Sequence, residues 1–173
     1  MNRRHNQREK DFHDRWAAGT SLSEVKVFEA FEHFTAQENR FILSLMGDLQ
    51  GLKLLDIGAG LGESSVYFAL RGAEVTANDV SPVMLERCVS LAKIHGAHVS
   101  TLLASDGDFD FSENRFDVVY GANVLHHCGD VAALLRAVKI ALKPGGRFFF
   151  YDPLAYNPAI NVYRSLATKV RSQ

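Results

Sequence analysis

An apolar run from Leu52 to Ile57 ends in three glycines at alternate positions, Gly58, Gly60 and Gly62, and a helical pattern begins immediately after them. A strand that empties into a glycine-rich turn and then a helix brings backbone N–H groups and a helix N-terminus up to whatever ligand lies beyond the strand. Glycine suits that turn because a Cβ would block close approach and because such turns often take φ > 0. Spacing separates the ligand classes. A loop that holds a pyrophosphate reads G-x-G-x-x-G, whereas here Glu63 stands where that pattern has its third glycine. An acid at a helix entrance suits the helix dipole but is a poor neighbour for a pyrophosphate. The spacing therefore disfavours a nicotinamide-dependent oxidoreductase.

From Leu52 onward the pattern alternates between strand and helix, which predicts a parallel sheet covered on both faces. Strands are expected at Leu52–Ile57, Glu74–Asn78, about His98–Leu103, Phe116–Tyr120 and Arg147–Tyr151. The first helix runs from about Gly62 to Arg71 and is stopped by Gly72. The second opens with Ser81 as its cap and Pro82 in its first turn, and closes at Gly96. A third spans Asp130 to Leu142, and Leu142-Lys143-Pro144-Gly145-Gly146 reads as a tight turn into the last strand. A further helical pattern lies between Pro158 and Val170.

Ahead of this core, Phe12 and Trp16 lie four apart on one helical face. An amphipathic piece from about Ser23 to His33 carries Val27, Phe28, Ala30, Phe31 and Phe34 on its apolar side. Thr35-Ala36-Gln37-Glu38 has the form of a capping box and opens a helix through Phe41, Ile42, Leu45 and Met46. These aromatics read either as packing against the core or as a lid, with Phe12, His13 and Trp16 lining a substrate pocket. The organisation expected is a helical cap over 1–48, a ligand-binding core over 49–155 and a helical segment over 156–173.

With 173 residues, the chain is long enough for one domain with a real core. A net charge of −1 supplies no electrostatic reason for a nucleic-acid or membrane partner. No run approaches the roughly 20 apolar residues of a membrane span. Cys88 and Cys128 are isolated thiols and the polar, basic start has no apolar stretch behind it, so a reduced, cytoplasmic setting is expected. No metal-ligand set is read.

Asp56 precedes the first glycine by two positions, and the Asp-x-Gly-x-Gly-x-Gly pattern resembles motif I of the class I S-adenosylmethionine-dependent methyltransferases. Three further stretches at matching spacing extend the resemblance over about Leu49 to Asp152. In Asn78-Asp79-Val80-Ser81-Pro82-x-Met84-Leu85, Asp79 ends the second strand, where a carboxylate accepts from both hydroxyls of a ribose, as in dinucleotide folds. The resemblance implies that Asp79 holds the ribose while Val80 and Met84 flank the adenine. After the third strand it implies an acid for the adenine amino group. Asp106 is the choice, with Gly107 supplying backbone and Asp108 and Asp110 competing in the same loop. Phe116-Asp117-Val118-Val119-Tyr120-Gly121-Ala122-Asn123-Val124-Leu125-His126-His127 is similar to the motif IV region, where Gly121 and Ala122 would approach the methionine part of the cofactor through backbone. Gly58, Ala59, Gly60 and Gly62 form the cofactor loop, and Asp56 organises the ammonium group directly or through water.

His127 is the catalytic candidate, as substrate contact or base, whereas His126 reads as a packing or helix-terminal residue and Cys128 as structural. Tyr151 or Asp152, ending the last strand on the ligand side, are candidate substrate contacts. Lys143-Pro144-Gly145-Gly146 resembles the family's turn before strand five and has a structural reading.

The fold expected is a three-layer, Rossmann-like α/β domain with a parallel sheet of order 3-2-1-4-5 and an N-terminal helical cap. The family sheet has seven strands, and this chain stops after a single further helical segment. It thus reads as C-terminally short, with strand five an uncovered edge that invites pairing with another copy. The function expected is methyl transfer from S-adenosylmethionine to a small-molecule or lipid-like acceptor, leaving S-adenosylhomocysteine. The alternative is a non-catalytic, truncated module that binds the cofactor or a partner.

Overall fold

The computed structural model describes residues 19–34, 36–104 and 109–152. Within them five parallel strands form one sheet in the order β3-β2-β1-β4-β5. These are β1 (Lys53–Ile57), β2 (Glu74–Asp79), β3 (Val99–Leu103), β4 (Phe116–Ala122) and β5 (Leu142–Tyr151). The helices are α1 (Glu29–Glu32), α2 (Gln37–Met46), α3 (Glu63–Leu70), α4 (Pro82–Ile94) and α5 (Val131–Ala141), with short 3₁₀ turns at Leu22–Glu24 and Leu125–His127. The expected architecture and strand order hold.

Alternation along each strand divides the core in two. Leu54 of β1, Val75 and Ala77 of β2, and Val118 and Tyr120 of β4 pack with α1 to α4 through Phe31, Met46, Tyr67, Phe68, Leu85, Cys88 and Leu91. On the opposite face Leu55 and Ile57 of β1 and Val119 of β4 meet Leu134, Val138 and Ala141 of α5, together with Phe111. The strands nearest the centre are therefore buried on both sides, as parallel strands are.

Ser81 caps its helix as the sequence predicts, and Asp130 caps another. Ser81 Oγ accepts from Met84 N at 3.0 Å at the start of α4, with Pro82 in the first turn, and Asp130 Oδ1 accepts from Ala133 N at 2.8 Å at the start of α5. Three local expectations change. The piece from Ser23 to His33 is not one helix: it divides into the 3₁₀ turn and the four-residue α1, and of its apolar residues only Val27 and Phe31 are buried, Phe28 and Phe34 being exposed. β-Branched Val25 and Val27 around the break favour extended backbone. Next, α2 begins at Gln37 with Ala36 as N-cap, one residue later than expected, and Thr35 lies outside the described residues.

The third change lies in β5. Lys143-Pro144-Gly145-Gly146 is not a turn before the strand but a bulge inside it. Phe116 pairs with Leu142 and Val118 with Arg147, so β4 advances two residues while β5 advances five. Gly145 takes φ 80°, and Lys143 Nζ reaches Asp117 Oδ1 and Oδ2 at 2.8 and 2.7 Å, fixing the bulge to β4. The turn chemistry is real, but ladder pairing resumes on both sides of it.

The described part of the N-terminal cap is a packed layer. Phe31 stacks on Tyr67 with ring centroids 4.3 Å apart, and Ile42 and Met46 of α2 enter the same core. Arg147 on β5 donates to the carbonyls of Leu45 and Met46 at 2.6 and 2.8 Å, satisfying acceptors that the end of α2 leaves open. Phe12, His13 and Trp16 of the expected lid, and the helical segment expected at 156–173, lie outside the described residues. Among the described residues no helix is long and apolar enough to cross a membrane.

Candidate functional site

The order β3-β2-β1-β4-β5 means that the chain winds one way from β1 and the other way from β4. The connections diverge between β1 and β4, which opens a crevice beyond the carboxyl ends of these strands. The glycine stretch is the loop at that crevice, between β1 and α3.

The three glycines answer to different demands. At Gly60, φ is 56° and a Cβ would meet nothing within 4 Å, so this residue supplies the turn and faces open space. At Gly62, φ is 94° and a Cβ would come within 2.4 Å of Cys88 Sγ, so the start of α3 is pressed against α4. A Cβ on Gly58 would collide with Val124 from the β4 side. The loop is tied down by the chain's own groups. Ala59 N donates to Asn78 O at 3.0 Å, and Gly60 N donates to Asp79 Oδ2 at 2.9 Å.

Asp79 therefore joins the end of β2 to the glycine loop. Its other oxygen, Oδ1, accepts from Ser81 N at 2.9 Å. A carboxylate offers about four lone-pair sites, so two bonds leave capacity for a diol. Beside it Val80 is 49% exposed, and Leu103, paired with Asp79 in the ladder, is 56% exposed. Two apolar side chains thus flank the carboxylate at the sheet's carboxyl edge. Leu103 has no local signal in the sequence as a site residue. Its place follows from the β2–β3 register.

Asp56, on the α3 side of β1, is only 1% exposed. Its Oδ2 accepts from Ser64 Oγ at 2.7 Å and Ser65 Oγ at 2.6 Å, in the first turn of α3. Burial pushes its pKa up to about 6, against the pull of the two serine hydrogen bonds. Burial likewise raises Glu63 at the same helix entrance. In this arrangement Asp56 anchors α3 beneath the loop.

The crevice's other wall comes from β4. A Cβ on Gly121 would lie 2.3 Å from the ring of Phe150, so this glycine admits β5's aromatic side chain, and Ala122 ends the strand beside it. Asn123 follows with φ 56°, and its N–H bonds Tyr151 O at 2.9 Å, turning the chain into Leu125–His127. Asp152 receives that turn: Oδ2 accepts from Leu125 N and Oδ1 from His126 N, both at 3.2 Å, and Oδ1 also meets His126 Nδ1 at 2.5 Å. The His126 and His127 rings lie 3.9 Å apart.

A glycine loop bonded to the acid that ends β2, at the switch point of a 3-2-1-4-5 sheet, makes a comparison with known proteins informative. The family described as "Methyltransferase domain" matches residues 55–150, more than half of the chain. The chain belongs to this family. Among named relatives, a sterol 24-C-methyltransferase of Yarrowia lipolytica is 29% identical over 141 residues, covering 79% of this chain and 37% of that protein. A ubiquinone biosynthesis O-methyltransferase of Alkalilimnicola ehrlichii is 31% identical over 134 residues, covering 75% of this chain and 52% of that protein. The solved structure of an S-adenosylmethionine dependent methyltransferase from Mesorhizobium loti matches with a TM-score of 0.58 at 28% identity, over 75% of this chain and 55% of that one. This methyltransferase-family chain spans about half or less of the length of those two curated relatives.

Placed on the family's fold, the expected residues divide. Gly58, Ala59, Gly60, Gly62, Asp79 and Val80 gather at the loop and the end of β2. Met84 is buried against Leu61, under the loop, and turns no surface outward. Asp106 and Gly107, and the competitor Asp108, lie outside the described residues, whereas Asp110 accepts from Ser112 N of its own turn. Cys128 packs in the second core, its thiol raised first by burial and then by the charge of Asp152. Of the last strand's candidates, Asp152 is bound to the 125–127 turn and Tyr151 to Asn39.

Proposed function

We propose that this protein transfers the methyl group of S-adenosylmethionine to a small-molecule acceptor. The observation that carries the reading is the Gly60–Asp79 hydrogen bond. It sets a φ-positive glycine with open space above it beside a carboxylate with two lone pairs to spare. The fit to the cofactor is local and specific: Asp79 would take the ribose hydroxyls, the exposed faces of Val80 and Leu103 would flank the adenine, and backbone at Gly58 to Gly60 would face the methionine portion. The bound cofactor supplies a sulfonium-activated methyl group. The protein's own task is then alignment of an acceptor with that methyl, which is largely an entropic contribution. Asp56 holds α3 and the loop in register and presents negative charge below the ammonium position.

The relatives named above act on a sterol carbon and on a ubiquinone-pathway oxygen, so a small, lipid-like acceptor is consistent with both while the accepting atom stays open. A second reading, a non-catalytic module that assembles through its sheet edge, is supported by one observation. Among the described residues β5 pairs only with β4, and Phe148 on it is 52% exposed.

Calorimetric titration of the protein with S-adenosylmethionine, S-adenosylhomocysteine and NAD tests the proposal. Binding of the first two without NAD is expected. Asp79→Ala removes charged hydrogen bonds to two hydroxyls, each worth about 1.5–3 kcal/mol, so affinity should fall by roughly 100-fold or more. Near-normal affinity in that variant, or tighter binding of NAD, would sink the assignment. Binding without turnover on any acceptor, together with a dimer on size exclusion, would favour the second reading.

A further inference from the structure

We propose that the amino end of the sheet carries a second binding site, a polar cleft at the starts of β1, β2 and β3 that takes a small phosphate ester. The cleft lies at the far end of the strands from the glycine loop and owes nothing to the methyl-transfer reading.

A strand inside a parallel sheet is normally apolar on both faces. β2 is not. Val75 and Ala77 enter the core shared with α1 to α4, while Glu74, Thr76 and Asn78 alternate with them and face the α5 side. The core on that side is built by β1, β4, α5 and Phe111, and β2 contributes no residue to it. Asn78 is satisfied, its Nδ2 donating to Leu102 O at 2.9 Å. Thr76 is only 7% exposed, yet its side chain has no hydrogen-bond partner among the described residues. The same holds for Ser100, which pairs with Thr76 in the β2–β3 ladder. Buried hydroxyls ordinarily find a partner. Both residues line a cleft of about 500 Å³ together with Lys53, Glu74, His98 and Arg115. That volume is in the range of small-molecule sites.

The charges select the ligand. Lys53, His98 and Arg115 are exposed, and none has an ion-pair partner among the described residues. Asp117 accepts from the backbone N of Lys53 at 2.9 Å, but both its oxygens are taken up by Lys143 Nζ. Arg115 is held by its backbone, whose N–H donates to Ala141 O at 2.9 Å. Its guanidinium lies 5.2 Å from the centre of the Phe116 ring, which leaves the N–H fork open. Glu74 stands opposite Lys53 in the β1–β2 ladder and is the one carboxylate of the lining. Two cations and an imidazole against one carboxylate favour an anion, and a planar fork beside a point charge suits phosphoryl oxygens. The hydroxyls of Thr76 and Ser100 can donate to the same oxygens. An ionised Glu74 only accepts, so the ligand that fits best carries a hydroxyl or ammonium group next to its phosphate.

The test is a nuclear magnetic resonance titration of the ¹⁵N-labelled 173-residue protein, with and without S-adenosylhomocysteine. The probes are inorganic phosphate and glycerol 3-phosphate, with glycerol as the uncharged control. Saturable shifts of the Lys53, Thr76 and Ser100 amides are expected, at lower concentration for glycerol 3-phosphate than for phosphate, and none with glycerol. Arg115→Gln and Thr76→Val should each weaken glycerol 3-phosphate by about tenfold or more, the loss of one hydrogen bond to a charged group. S-adenosylhomocysteine affinity in both variants should stay within about twofold of the parent, as for distant, independent sites. That measurement also separates a failure of cofactor binding from a failure of the cleft. Thr76→Val keeps the shape of the residue, so general attraction of an anion to a basic surface would not register it. Shifts that do not saturate, shifts confined to Gly58–Gly62, or an affinity indifferent to Thr76→Val overturn the proposal. Ser100→Ala repeats the hydroxyl arm should the valine variant fold poorly. Phosphatidylcholine vesicles containing phosphatidic acid are then added as competitor. Displacement of glycerol 3-phosphate assigns the cleft to a lipid headgroup and no displacement assigns it to a soluble ester, and either result supports the phosphate site.

Discussion

Asp56 and Gly62 carry the most consequence per atom. The Asp56 carboxyl is raised from the ordinary 3.8 to about 6 by burial, so the folded protein holds this proton at pH values where the unfolded chain has lost it. The stability gained is complete below pH 4 and is lost as pH rises through about 6. That interval corresponds to about 3 kcal/mol. Asp56→Asn should therefore flatten the fall of the urea midpoint from pH 4 to 6 relative to the parent, and parallel profiles for the two proteins would contradict the burial argument. Gly62 makes a steric prediction. An alanine there meets Cys88 Sγ and must adopt a positive φ. Left-handed strain of about 1–2 kcal/mol and overpacking of about 1–3 kcal/mol should together lower the stability of Gly62→Ala by roughly 2–5 kcal/mol. Adding Cys88→Ala should recover the overpacking share but not the strain, which denaturation of the double variant will show.

At the scale of elements, the cap and the sheet are joined by a buried polar chain that no local pattern announces. Tyr120 on β4 donates to Asn39 Oδ1 on α2 at 2.6 Å, and Asn39 Nδ2 donates to Ala30 O at 2.7 Å. Tyr120→Phe leaves the Asn39 acceptor buried without this donor, so the protein should lose about 1–3 kcal/mol. A change below about 0.5 kcal/mol in the denaturant midpoint would mean that the bond contributes nothing net. The elements most legible from sequence are those whose signals are local: the β1–loop–α3 passage and the Ser81-Pro82 start of α4. The bulge in β5 was hidden because Pro-Gly-Gly states only that the chain turns, whereas re-entry into the ladder depends on where β4 lies. The split of the 23–33 piece was hidden for a related reason. Its aromatics satisfy a helical stripe on paper, but only Val27 and Phe31 find room in the core.

For the whole molecule, the same division between local and distant information governs the site. The loop and Asp79 were legible because strand, glycines and acid follow one another in a single βαβ unit. The His126–Asp152 pair and the exposed flank of Leu103 were not, since each depends on the register of two strands brought together only by the completed sheet. A ligand that binds across that assembled edge stabilises the entire fold by mass action. At 100 times its dissociation constant, S-adenosylhomocysteine should add about 2.7 kcal/mol, or roughly 5–10 °C in Tm for a chain of this size. A scanning calorimetry trace that does not move would argue against binding to the native sheet. Finally, the bond from Gly60 to Asp79 is made wholly of the chain's own atoms, so the ordering entropy of the glycine loop is incurred while β1 and β2 assemble and not when a ligand arrives. Capture then requires no loop-closing step. Selectivity among related nucleosides should accordingly appear in residence time, with association rates nearly alike from one to the next.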